Sequence, residues 1–166
     1  MFDFNKFYHG LLNRTDYFNN YWEQFPAGRL MRYKQETLSL LKENIKNKDE
    51  KGLSCTLAVI YNDGADKDYT DILLSLLEEK WHILEEDIVG VLEIIKDPKS
   101  IDKLYALIID IPDYDDMRAL AKKCMWALSA INTPEARDKL VLLQRSGDPI
   151  IKENATFQLE QVINQK

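Results

Sequence analysis

Two histidines, His9 and His82, and two cysteines, Cys55 and Cys124, are all that this 166-residue chain offers for imidazole or thiol chemistry. They lie far apart, and no CxxC or HExxH spacing joins them, so neither an activated nucleophile nor a zinc site is expected. Both cysteines sit inside apolar stretches, which predicts buried thiols in a reducing compartment. Asp63, Asp66 and Asp68 alternate as in a calcium loop, but the glycine at its sixth position and the glutamate at its twelfth are missing. No glycine-rich cradle for phosphate occurs either. These residues argue against catalysis, a metal or a cofactor.

Carboxylates supply the chemistry that remains. Residues 51–116 carry 16 Asp+Glu against 6 Lys+Arg, a balance of −10, while the segments on either side are slightly basic and the whole chain has a formal net charge of −6. An acidic block repels nucleic-acid phosphates and acidic membranes and attracts basic protein surfaces. The plainer reading is a well-solvated face. No apolar run approaches the ~20 residues of a membrane helix. The opening Met1-Phe-Asp-Phe lacks the basic-then-apolar layout of a secretory signal, so a cytoplasmic location is expected.

The elements that would position these residues form an internal repeat. Asp97-Pro98 through Leu104 aligns with Thr133-Pro134 through Leu140 at an offset of 36, which also pairs Leu84 with Leu120, Ile88 with Cys124, Leu92 with Leu128 and Ile95 with Ile131. A third copy places Ile151, Ala155, Leu159 and Val162 against Leu120, Cys124, Leu128 and Ile131. Each spacing is that of one helical face. Asp97-Pro98, Thr133-Pro134 and Asp148-Pro149 are helix starts, with an oxygen to cap free N–H groups and a proline where no N–H is needed. Ser146-Gly147 predicts a left-handed helix stop. Helices are expected over 70–80, 84–96, 98–110, 116–131, 134–145 and 149–164, with a further one from Arg32 to Lys46. Leu53 to Tyr61 fits helix or strand, and helix is preferred because a lone strand has no partner.

Asp148-Pro149-Ile-Ile151-Lys152-Glu-Asn-Ala155-Thr156-Phe-Gln158-Leu159-Glu-Gln-Val162 resembles the second helix of a HEAT repeat of the phycobilisome-lyase-like subtype. Ile131-Asn-Thr-Pro134-Glu-Ala-Arg-Asp-Lys-Leu140 is similar to that family's connection into the next first helix. The resemblance covers 98–164 well, 70–97 moderately and the earlier residues thinly. It departs from the pattern where Ala121 and Glu85 take the basic position. It implies an all-α solenoid of antiparallel helix pairs in a single domain, 1–166. Its parts would be an aromatic cap at 1–33, a degenerate pair at 34–68, and repeats at 69–97, 98–133 and 134–166. The cap holds 10 of the 17 aromatics and reads either as a cover for the open end of the stack or as a partner-binding patch.

A repeat stack of this kind specifies a scaffold and no chemistry, so the expected role is to bind another protein. Glu85, Glu86, Asp87 and Glu93 lie off the core stripe of the 84–96 helix, and Asp113, Tyr114, Asp115 and Asp116 follow in the next hinge. Trp126 and Phe157 share one register in successive copies, where the earlier copy has Gly90, and either pack between repeats or stand out as anchors. Acidic residues around an aromatic suit a basic partner. In type, though by no motif, the chain matches a bacterial immunity protein that neutralises a nuclease-type toxin of a contact-dependent or polymorphic system. The alternative is a HEAT-like adaptor or assembly scaffold in a cytoplasmic complex. For an inhibitor, affinity is expected to fall with added salt and with Lys at Glu85, Glu86, Asp115 and Asp116, as binding measured against the partner at two ionic strengths would show.

Overall fold

Apolar residues spaced three and four apart bury one face of each predicted helix. The computed structural model, which describes residues 8–10, 29–112 and 115–164, is all-helical, with no strand among them. Its elements are α1 (Lys34–Asn47), α2 (Glu50–Asp63), a 3₁₀ turn (Lys67–Tyr69) leading into α3 (Thr70–Leu76), α4 (Glu85–Ile95), a second 3₁₀ turn (Pro98–Ser100) leading into α5 (Ile101–Ile109), α6 (Ala119–Ile131), α7 (Pro134–Leu143) and α8 (Pro149–Asn164). The ambiguous stretch from Leu53 to Tyr61 is helix, inside α2. No described helix is long and apolar enough to cross a membrane.

Helices α2, α4, α6 and α8 pack one on the next; α1, α3, α5 and α7 each lie against the helix that follows them in the chain, and α7 also touches α5 and α6. The repeat positions make the core: Ile88, Leu92, Ile95, Cys124, Leu128, Ile131, Ile151, Ala155, Leu159 and Val162 are all buried. Cutting Leu92 or Leu128 to alanine would leave a cavity there, at a cost of about 2–5 kcal/mol.

Short helices expose many unpaired N–H groups, and side-chain oxygens meet them at the expected starts. Asp97 accepts from Lys99 N at 3.2 Å, Thr133 from Ala136 N at 3.2 Å, and Asp148 from Ile150 N at 2.9 Å. Two further carboxylates act at helix entries from a distant part of the chain or across a loop. Asp63, the buried last residue of α2, accepts from Arg32 N and Tyr33 N at 2.9 and 2.7 Å and so ties down the two residues that lead into α1. Asp115 accepts from Leu120 N and Ala121 N at 3.2 Å each and closes the entry to α6. Arg118 then donates to the Asp115 carbonyl at 2.6 Å and to Asp148 Oδ2 at 2.7 Å, joining the hinge before α6 to the hinge before α8. That guanidinium holds the Asp148 carboxyl below the usual carboxylate range.

The left-handed stop expected at Gly147 is not there. Lys48, Lys96 and Asn132 adopt it instead, with φ near 50°, after α1, α4 and α6. Past α7 the last carbonyls are met by successive backbone N–H groups, Gln144 N on Leu140 O, Arg145 N on Leu142 O and Ser146 N on Leu143 O, so no left-handed residue is needed. The Ser146 hydroxyl then accepts from Asp148 N at 3.1 Å. Gly64, at φ +104°, is the position that requires glycine, because a β-carbon would also lie 2.6 Å from Arg29 Cβ. Of the aromatic cap, Phe2, Phe4, Phe7, Tyr17, Phe18, Tyr21, Trp22 and Phe25 lie outside the described residues. Tyr8 is buried and its hydroxyl donates to Gly52 O at 3.3 Å.

Asp115→Ala removes two hydrogen bonds from a carboxylate that is only 4% exposed, and is expected to cost about 2 kcal/mol. That corresponds to a fall of roughly 4–8 °C in Tm. Asp116→Ala, on the exposed side of the same turn, should stay within about 0.5 kcal/mol, and paired thermal melts would check both.

Candidate functional site: a groove across the successive helices

Once the core face of each helix is buried, the residues one step round it decide what the other face presents. On α2 these are Ser54, Leu57, Ala58 and Tyr61; on α4 Glu86, Asp87, Gly90 and Glu93; on α6 Lys123 and Trp126. Together they line a cavity of about 440 Å³. A second cavity of about 600 Å³ shares Glu93 and Trp126 and continues to Phe157 and Gln161 on α8, so one groove runs across all four helices. Along it Tyr61, Trp126 and Phe157 keep 43%, 41% and 53% of their surface exposed. Trp126 and Phe157 therefore stand in the groove and are not sealed between helices.

Gly90 sits between the first two rings. A β-carbon there would lie 3.6 Å from Tyr61 Cε2, an ordinary contact, and the backbone is not in a left-handed conformation. Neither strain nor crowding demands glycine, which in a helix interior costs about 0.5–1 kcal/mol relative to alanine. Its missing side chain leaves α4 without a projecting group at this point of the cavity that Tyr61 and Trp126 also line.

The charges in the groove are unevenly satisfied. Glu86 pairs with Lys123 at 3.0 Å. Asp87 and Glu93 have no hydrogen bond or ion pair among the described residues. Burial pushes both carboxyls above the usual range, against the pull of Lys123 on Asp87 and of Lys96, Arg29 and Lys123 on Glu93. Asp87 still keeps more than a third of its surface in contact with solvent. Its weakened hydration comes from the protein walls of the groove around it and not from closure over it. Glu85, Glu86 and Asp87 also form the first turn of α4, where the helix dipole favours acids, so part of this cluster is structural.

Of the sequence-selected residues, the structure brings Glu86, Asp87, Glu93, Trp126 and Phe157 together in the groove. Glu85 lines a separate depression with Glu78, Lys103 and Asp110, where its Oε2 is buried without a partner. Asp115 is the buried cap of α6, which takes it off the binding surface, and a lysine there would remove the cap. Asp116 is exposed, and Asp113 and Tyr114 lie outside the described residues. The remaining central acids are dispersed: Asp66 and Asp68 meet Lys34, Asp71 meets Lys99, Glu78 meets Lys103, and Asp102 meets Lys139. Sequence reasoning missed Tyr61 and Lys123. Tyr61 had a signal, since it follows Ser54 and Leu57 at helical spacing on the flank of the Leu53, Leu57, Ile60 stripe.

His82 and Cys124 are both held in the core. His82 is buried, with Nε2 3.0 Å from Leu76 O and Nδ1 accepting from Leu84 N at 3.2 Å. Cys124 is buried, and desolvation pushes its thiol far above the range in which a thiolate forms. No group of His, Cys, Asp or Glu suited to a metal ion occurs among the described residues. No protein-family model matches the chain, and neither a curated protein nor a solved structure is detectably similar to it.

A carboxyl whose folded pKa is raised binds its proton more tightly in the folded state than in the unfolded one. Its effect on stability is therefore lost as pH rises through the carboxylate range and up to the folded pKa. Asp87→Asn and Glu93→Gln are expected to raise Tm at neutral pH. The gain should shrink as pH falls through the carboxylate range and vanish by pH ~2.5, where both acids are protonated in the folded and the unfolded chain alike. Thermal melts at the two pH values would show it; a lower Tm at neutral pH would mean that these carboxylates are structurally satisfied.

Proposed function

We propose that this chain is a non-catalytic protein-binding module that holds a basic partner in the groove across α2, α4, α6 and α8. One observation carries the reading: three exposed aromatic rings share a groove with two carboxylates that have no described partner. Large aromatics facing water and weakly hydrated unpaired acids are both unfavourable in the isolated chain. A cationic protein surface relieves both at once, because the rings supply burial and the carboxylates supply charge complementarity. The succession α2, α4, α6, α8, each with a companion helix, fits a degenerate HEAT-like stack whose second helices form the binding face.

The particular form we favour is an acidic inhibitor of a basic protein, such as an immunity protein against a nuclease-type toxin of a contact-dependent or polymorphic system. Its binding would centre on the groove and not on a long imitation of polyanionic nucleic acid, because many of the central acids serve as caps and in scattered ion pairs. That same dispersal favours the second reading, a HEAT-like adaptor in a larger complex, in which the acid block staples and solvates the stack.

Co-expression with the neighbouring genes of its own operon, followed by purification of the bound protein and a titration, tests the proposal. Trp126→Ala is expected to weaken binding by about 30-fold, the cost of about 2 kcal/mol typical of an interfacial tryptophan anchor, and Phe157→Ala by less. Loss of the partner's enzymatic activity on binding selects the inhibitor, and unchanged activity selects the adaptor. Affinity indifferent to both substitutions would remove the groove from the interface and end the reading.

A further inference from the structure

The groove is not uniform, and one compartment of it has a defined chemistry. Between Tyr61 and Trp126 the wall of α4 is bare at Gly90, and the carboxylates of Asp87 and Glu93, one turn to either side, line the same 440 Å³ space. Lys123 lines it too but pairs with Glu86, so Asp87 and Glu93 feel its charge without forming an ion pair among the described residues. At its edge Arg29 holds its guanidinium 5.1 Å from the centroid of the Tyr61 ring. The Tyr61 ring thus already serves one guanidinium of the chain as a cation platform, and the charge of that arginine also acts on Glu93.

We propose that this compartment is a subsite for a single arginine side chain of the protein partner, with the guanidinium stacked between Tyr61 and Trp126 and paired to Asp87 and Glu93. The assignment rests on the protein-binding reading above and names what the groove recognises. A guanidinium fits better than an ammonium on three counts. It is planar and stacks on aromatic faces; it is weakly hydrated, so it enters a partly desolvated site readily; and its fork of donors serves two carboxylates at once. With no side chain at Gly90, α4 puts nothing from that position into the cavity the flat group would enter. Raised carboxyl pKa values are consistent with a site awaiting a cation.

The test uses the full chain, labelled with ¹⁵N, and three small probes: N-acetyl-arginine-N-methylamide, its citrulline counterpart, which keeps the shape and loses the charge, and its lysine counterpart, which keeps the charge and loses the planar fork. The arginine probe is expected to give saturable shifts at the Gly90 amide and the Trp126 indole, with Kd on the order of 1 mM, and the citrulline probe to bind at least about tenfold more weakly. In an Asp87→Asn/Glu93→Gln double variant the shifts should fall by at least about tenfold, and in Gly90→Leu, which fills the gap, they should disappear. Thermal melts of both variants show that the fold is intact, and the double variant is expected to melt no lower than the parent. Equal binding of arginine and citrulline probes, shifts that bypass Gly90, or a lysine probe that binds as tightly as arginine would each overturn the subsite. If the probe fails while a purified partner still depends on Trp126, only the subsite falls. If partner binding ignores Trp126 and Phe157, the wider reading falls with it.

Discussion

Every short helix in a stack presents unpaired N–H groups at its entry, and the rest of this molecule depends on how they are met. Acidic side chains meet them at several of the hinges, Thr133 meets them at α7, and α4 has no side-chain cap. Asp63 ties down the residues leading into α1, Asp49 reaches Gly52 N at the start of α2, Asp97 opens the turn into α5, Asp115 closes α6 and Asp148 opens α8. Asp97 also accepts from the Thr70 hydroxyl at 3.0 Å, and Arg118 bonds at once to the Asp115 carbonyl and the Asp148 carboxylate. Caps of this kind let the hinges pack tightly enough for α2, α4, α6 and α8 to meet in succession.

The acidic surplus of residues 51–116 acquires a different meaning from this. Several of its carboxylates are bound to backbone N–H groups or to lysines on neighbouring elements, and their influence on a distant partner is correspondingly reduced. What remains for recognition is local. Asp87 and Glu93 sit among protein walls without a described partner, beside exposed rings and a glycine that neither strain nor crowding requires. Each of these features lowers the stability of the chain alone. Local rules of folding are broken together at one place, as is common where a surface is shaped for a ligand.

Much of the architecture was legible from the residues because it depends on short-range physics. The 36-residue offset, the helical spacing of Ile88, Leu92 and Leu128, and the Asp-Pro and Thr-Pro starts specify helices and their buried faces with little help from distant residues. Even the ambiguous Leu53–Tyr61 resolves as expected. The errors are instructive in the same terms. Gly147 reads as a left-handed stop, yet the last carbonyls of α7 are met by Gln144 N, Arg145 N and Ser146 N, and left-handed geometry falls at Lys48, Lys96 and Asn132. A local signal decides only when no competing hydrogen bond is nearer.

The candidate site divided along the same line. Trp126 and Phe157 were found by register, a property of one helix repeated in the next. Tyr61 was not, because its place in the groove depends on how α2 lies on α4, and Asp115 was mistaken for a surface acid because its partners, Leu120 N and Ala121 N, are fixed only when the hinge folds back. Sequence alone determined which faces are apolar, where helices begin and that acid outweighs base in the middle of the chain, since spacing and composition suffice for these. Tertiary structure alone decided which carboxylates are consumed as caps and which stay unpaired beside aromatic rings, because a side chain's partners and its hydration are set by elements brought together from across the chain.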